Sequence, residues 1–234
     1  MKSLILVPTY NERENIQPLM KAVLDVNPEV HILVIDDSSP DGTGELVKAE
    51  AAKDPRIHLL SRAQKQGLGR AYIAGFKWGL EKNYDTLVEM DADFSHRPED
   101  LKLILAKFQP GVDFVIGSRY VPGGRTVNWG LLRKIISRGG SLYSRLILGY
   151  PVNDWTGGFN AWTRRALDVI QLDRVTSNGY SFQIELKYRA LRGGCKGVES
   201  PIVFEDRRVG QSKMSLNIVL EAFYKVWQIR WSST

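Results

Sequence analysis

Apolar residues along the chain fall in short runs separated by polar turns, and the runs alternate with stretches of helical spacing. Residues 3–7, 31–35, 57–60 and 86–90 are nearly continuous apolar runs of strand length, as expected of strands covered on both faces. Between them, 12–26, 45–53 and 70–80 read as helices. Asn11 followed by Glu14 has the form of a helix N-cap with its reciprocal partner, and Asn27-Pro28 ends that helix. Pro98 suits the first turn of a helix reaching about residue 108, and 113–117 is a fifth strand. Residues 129–148 are helical, with Gly139-Gly140 weakening the middle. Further on come a strand at 159–162, a helix over 180–191 and a strand at 198–205. Over 215–231, Leu216, Val219, Leu220, Phe223, Val226, Trp227 and Arg230 keep helical spacing. That face fits a core-packing helix, and it would also suit a membrane or a partner. The alternation predicts an α/β fold: a mostly parallel, Rossmann-like sheet with right-handed crossovers, flanked by helices.

In such a sheet the carboxyl ends of the strands share one edge, where ligands bind. Three polar clusters fall there: Pro8 to Glu12, Asp36-Asp37, and Asp91-Ala92-Asp93. Asp91 and Asp93 are two apart on an extended chain, so their carboxylates can converge. Paired carboxylates suit a hard divalent cation that completes its shell with substrate phosphates. Arg119 follows the fifth strand and should reach the same edge. Arg133, Arg207 and Lys213 are the other cationic candidates, and arginine forks match phosphate oxygens well.

Composition narrows the classes. The 234 residues suit one domain, divided as 1–120, 121–214 and a terminal helix over 215–234. A net charge of +6 favours an anionic partner. No run of basic residues marks a nucleic-acid tail, and basic and aromatic residues do not interleave along a groove-sized element. No Gly-x-Gly-x-x-Gly follows the first strand and no P-loop is present. The single Cys195 excludes an internal disulfide, and no apolar stretch approaches the length of a membrane span. The chain is therefore read as cytoplasmic or peripheral. His31, His58 and His96 lack zinc-site spacing; His96 lies near the acidic pair.

Five blocks together carry a resemblance: Val7-Pro8-Thr9-Tyr10-Asn11-Glu12, Ile35-Asp36-Asp37-Ser38-Ser39-Pro40-Asp41-Gly42-Thr43, Met90-Asp91-Ala92-Asp93, Gly117-Ser118-Arg119-Tyr120 and Gln211-Ser212-Lys213. In this order they resemble the family 2 inverting glycosyltransferases, and within them the dolichyl-phosphate mannose synthases. The resemblance implies a GT-A fold and transfer of mannose from GDP-mannose to dolichyl or polyprenyl phosphate. It implies Mg²⁺ or Mn²⁺ as cofactor, held by Asp91 and Asp93. Pro8, Tyr10, Glu12, Ile35 and Asp37 would line the nucleoside pocket, with Asp91, Ala92 and Asp93 at the ribose, diphosphate and metal. Arg119 and Arg133 would hold the acceptor phosphate, and Arg207 and Lys213 would close over the diphosphate. Some relatives have a metal-touching glutamine two residues after the second aspartate; Ser95 stands there here, a weaker ligand. A lipid acceptor implies the cytosolic face of a membrane, met through a basic face, the 215–231 helix or a membrane-bound partner subunit. A UDP-glucose-dependent glucosyltransferase acting on the same carrier and a non-catalytic nucleotide-sugar-binding subunit are the alternatives.

Overall fold

The computed structural model describes residues 1–206 and 216–232. A seven-stranded sheet forms its centre. In chain order its strands are β1 (Ser3–Thr9), β2 (His31–Asp36), β3 (Ile57–Ser61), β4 (Thr86–Glu89), β5 (Phe114–Ser118), β7 (Asn160–Thr163) and β8 (Gly197–Pro201). They lie in the order β3-β2-β1-β4-β7-β5-β8. The helices are α1 (Arg13–Val26), α2 (Thr43–Ala51), α3 (Leu68–Glu81), α4 (Pro98–Leu105), α5 (Leu131–Leu148), α6 (Arg164–Ile170), α7 (Gly179–Arg192) and α8 (Leu216–Ser232). A small second sheet pairs β6 (Arg125–Val127) with β9 (Val203–Glu205).

Strand alternation builds two cores. Leu4, Leu6, Leu33, Ile35 and Trp162 face one side with Phe76 of α3 and Phe182 of α7. Ile5, Val7, Ile32, Val34 and Ala161 face the other with Ile16 and Leu19 of α1 and Leu101 of α4. Helix α3 lies close on the sheet because Gly75 and Gly79 have no side chain there. A Cβ at Gly75 would stand 2.5 Å from Ile35 Cδ1, and one at Gly79 2.3 Å from Leu87 Cδ2.

Two local expectations are corrected. Asn11 does not cap α1: its φ of 62° is left-handed, and Glu12 holds the cap position without a side-chain cap bond. The first amides of the helix find partners across the neighbouring loop instead. The Glu12 amide donates to Thr43 Oγ1 (3.1 Å) and the Arg13 amide to Asp41 Oδ2 (3.1 Å). The strand expected over 198–205 is two strands. Ile202 turns the chain, donating its amide to the Ser118 carbonyl (3.1 Å), so that β8 completes the main sheet and β9 leaves it. The sheet is mostly parallel, as expected; within it β7 is antiparallel to both its neighbours, with Trp162 opposite Leu87 and Phe114. The excursion through α5 leaves and returns at the carboxyl edge, so the chain must re-enter the sheet from that edge.

Candidate active site

The carboxyl ends of β1, β2 and β4 meet at one edge, as parallel pairing requires. The first two loops are stitched together. The Asp37 amide donates to the Thr9 carbonyl (3.2 Å). Asp36 Oδ1 accepts from Thr9 Oγ1 (2.9 Å) and Ser39 Oγ (2.6 Å), which makes Asp36 a scaffold residue. Asp37 is buried, with Arg62 Nη1 3.0 Å from its carboxylate; burial pushes its carboxyl up despite that cation. Tyr10 is exposed, with Lys65 Nζ 4.0 Å above its ring, and Glu12 accepts from Asn15 Nδ2 (2.9 Å). Pro8 is half-buried on β1. Ile35 is packed into the core against α3, so its backbone rather than its side chain is what it offers at this edge.

The acidic pair sits in the turn after β4. Asp93 is buried and its Oδ1 accepts the Ser95 amide (3.0 Å); Ala92 packs into the core between the two acids. Tyr72 of α3 donates a long hydrogen bond to Asp91 Oδ1 (3.5 Å). Burial, and then Asp91, Glu89 and Asp93, push this phenol well above its ordinary 10, so it stays a neutral donor. His96 Nδ1 accepts the Asp91 amide (3.0 Å), and burial lowers the imidazole below its ordinary 6.5. Among the described residues no group of three or more His, Cys, Asp or Glu side chains is arranged to hold a metal. The fit to a divalent ion is that of an incomplete oxygen set. Ser95, whose amide Asp93 Oδ1 accepts, keeps its Oγ buried without a hydrogen-bond partner among the described residues. Such a set needs further oxygens from substrate or water.

A cavity of about 460 Å³ runs from this turn under α5, α7 and α8, lined by Asp91, Ser95, His96, Arg119, Arg133 and Ser137 among others. Arg119 is buried and gripped by Asp154: Nε to Oδ2 (2.7 Å), Nη2 to Oδ1 (2.7 Å) and backbone amide to Oδ2 (2.9 Å). Burial pushes the Asp154 carboxyl up, but Arg119, its hydrogen bonds and Lys187 hold it below the usual carboxylate range. Arg133 lies 4.0 Å over the Trp129 ring and donates to Asp206 Oδ1 (2.7 Å). Asp91, Arg119 and Arg133 thus line one cavity, whereas Asp93 is not among its lining residues. Arg207 and Lys213 lie outside the described residues.

Beneath the cavity is a buried polar layer. Glu89 accepts from Gln183 (2.9 Å), Asn160 (3.1 Å) and Trp162 (3.1 Å), and Lys187 Nζ donates to the carbonyls of Asp154, Trp155 and Gly157. Burial raises Glu89 from 4.5 to about 7 and lowers Lys187 from 10.5 to about 8. Sequence reasoning passed over Glu89, Asp154, Gln183 and Lys187. The one signal was Glu89 itself, a charge inside an apolar run.

The sequence and the fold resemble those of known proteins. The chain is 49% identical over 98% of its length to the polyprenol monophosphomannose synthase of Mycolicibacterium smegmatis, covering 88% of that protein. It is 50% identical over 99% of its length to the undecaprenyl-phosphate mannosyltransferase of Micrococcus luteus, covering 94% of it. The solved structure of a mannosyltransferase from Pyrobaculum calidifontis, in complex with GDP-Man and Mn²⁺, superposes with a TM-score of 0.61 at 15% identity, over 99% of this chain and 73% of the other, a likeness of fold. The family described as Glycosyl transferase family 2 matches residues 4–170, and with the GT-A-like sheet and the relatives above the chain belongs to that family.

Proposed function

We propose that the protein transfers mannose from GDP-mannose to a polyprenyl or dolichyl phosphate, inverting the anomeric carbon. The observation that carries this reading is a cavity lined by Asp91 of the acidic turn together with Arg119 and Arg133. The named activities of the two near relatives supply the sugar and the class of acceptor.

Pro8, Tyr10, Glu12, Asp37 and the Ile35 backbone would receive the nucleoside. Asp91 and Asp93, with Ser95 directly or through water, would hold Mg²⁺ or Mn²⁺. When bound there, such an ion would offset the charge gathering on the departing diphosphate. Arg207 and Lys213 are assigned to the same diphosphate. Arg119, fixed on Asp154, and Arg133, stacked on Trp129, would bring the acceptor phosphate against the donor. An acceptor phosphate is ionised at neutral pH and is its own nucleophile. No side chain has to remove a proton from it, which suits a site whose only histidine is a neutral one.

The acceptor's lipid tail would be met by α5, whose polarity is inside out. Its buried residues are Ser137, Ser141, Ser144 and Leu148, whereas Leu131, Leu132, Ile135, Leu142 and Leu146 are exposed, Leu131 by 74%. Phe223, Tyr224, Trp227 and Trp231 of the neighbouring α8 are exposed too. Lys134, Arg138 and Arg145 accompany this apolar face, as on helices that rest on anionic lipid. Among the described residues no helix is long and apolar enough to cross a membrane.

The test is radiolabelled sugar transfer to polyprenyl phosphate. GDP-mannose with Mg²⁺ or Mn²⁺ should give a labelled lipid phosphate, and chelator should abolish it. Transfer from UDP-glucose alone would replace the donor, and nucleotide-sugar binding without transfer from either donor would make the protein a binding subunit.

A further inference from the structure

We propose that His96 donates a neutral hydrogen bond from Nε2 to the phosphate of the acceptor lipid. This rests on the reading that the cavity beside Arg119 and Arg133 receives that phosphate.

His96 is 1% exposed and lines the cavity. Its Nδ1 lies 3.0 Å from the backbone nitrogen of Asp91. A backbone N–H can only donate, so Nδ1 is the acceptor and the ring proton sits on Nε2. That Nε2 has no hydrogen-bond partner among the described residues. A buried N–H without an acceptor is costly, and native structures seldom leave one unless a ligand or water completes it. The ring is also held in place. It stacks on Phe159 at 4.7 Å and meets Phe204 in a T-shaped contact at 5.3 Å.

Two more N–H donors around the same cavity lack acceptors among the described residues: Trp129 Nε1 and Arg133 Nε. The residues that carry these three buried, unpartnered donors all line the one cavity, a setting that suits an oxygen-rich anion. A neutral donor also suits this place. A third cation beside Asp91 and Asp93 would compete with the metal for their carboxylates, whereas an imidazole N–H directs a phosphate oxygen without adding charge.

Two substitutions separate the ring's two nitrogens. The side-chain oxygen of His96→Asn can replace Nδ1 and keep the Asp91 amide paired, while the Nε2 donor is lost. The side-chain nitrogen of His96→Gln can replace the Nε2 donor. Farnesyl phosphate is titrated by calorimetry in the absence of donor, and GDP with Mn²⁺ separately. We expect His96→Asn to weaken farnesyl phosphate by about 10-fold or more, the range for a hydrogen bond to a charged group. Its GDP–Mn²⁺ affinity should stay within about twofold, and His96→Gln should recover most of the farnesyl phosphate affinity. Unchanged farnesyl phosphate binding by His96→Asn would overturn the assignment. So would a parallel loss of both ligands, which would make His96 only a support for Asp91. A wild-type protein that binds GDP–Mn²⁺ but no farnesyl phosphate would overturn the acceptor reading itself.

Discussion

Asp154 has no accessible surface, yet it carries a full charge beside Arg119, and three hydrogen bonds from that arginine justify its position. Removing one partner of a buried ion pair strands the other. Asp154→Ala should therefore cost about 3–5 kcal/mol in urea denaturation, well above an ordinary surface substitution. It should also reduce use of the acceptor phosphate, because Arg119 loses its anchor. Asp91, Asp93 and Arg119 were legible in the sequence because each follows an apolar run, and a parallel sheet delivers such positions to one edge. Asp154 was not, because it lies in an irregular loop and its partner is 35 residues away. No periodicity links residues so placed.

Helices and strands show the same division. Strand existence could be read from apolar runs, but strand direction could not, and β7 runs against the pattern its neighbours set. Strands β6 and β9 have three residues each, too few to show an alternation. For α5 the spacing declared a helix but not its inner face. Serines turned inward because Tyr120 Oη donates to Ser137 Oγ (2.8 Å) and the Trp155 amide to Ser141 Oγ (3.2 Å). The expected weakness at Gly139-Gly140 does not interrupt the helix. In α3 the close approach at Gly79 outweighs helix propensity. Gly79→Ala would gain about 1 kcal/mol as a helix former and lose about 1–3 kcal/mol to overpacking against Leu87, for a net lower thermal midpoint. Between β4 and α7, Glu89 makes stability depend on pH. Its folded pKa is raised, so the folded form holds its proton where the unfolded chain has released it. The stabilisation is present below 4.5 and is lost as pH rises to about 7. Over that window the unfolding free energy of the wild type should fall relative to Glu89→Gln, measured by denaturation at a series of pH values.

For the molecule as a whole, the sheet and its two cores leave the outer sides of α5 and α8 apolar, with Leu146 72% and Trp231 67% exposed. Patches of this kind mark an interaction site. The double variant Leu132→Asp, Leu146→Asp should bind anionic vesicles several-fold less in co-sedimentation, while each change alters folding stability by no more than about 0.5 kcal/mol. The net charge of +6 pointed towards an anionic partner, but composition has no means of saying where on the surface such a partner sits. Val226 and Ile229 of α8 pack into the core while Trp227 and Trp231 do not. The terminal helix therefore packs on the core, as its spacing allowed, and leaves an aromatic face exposed.

The cavity's walls on α5 and α8 have a thermodynamic corollary. Pulling a prenyl tail out of its leaflet costs about 0.8 kcal/mol for every methylene. An enzyme resting on the bilayer with those helices undermost would need to capture only the headgroup, leaving the hydrocarbon in place. Its effective substrate level would then be a surface density, not a bulk molarity. Diluting the carrier with inert phospholipid at constant total amount should slow turnover, and an unchanged rate would mean that the tail leaves the leaflet before reaction.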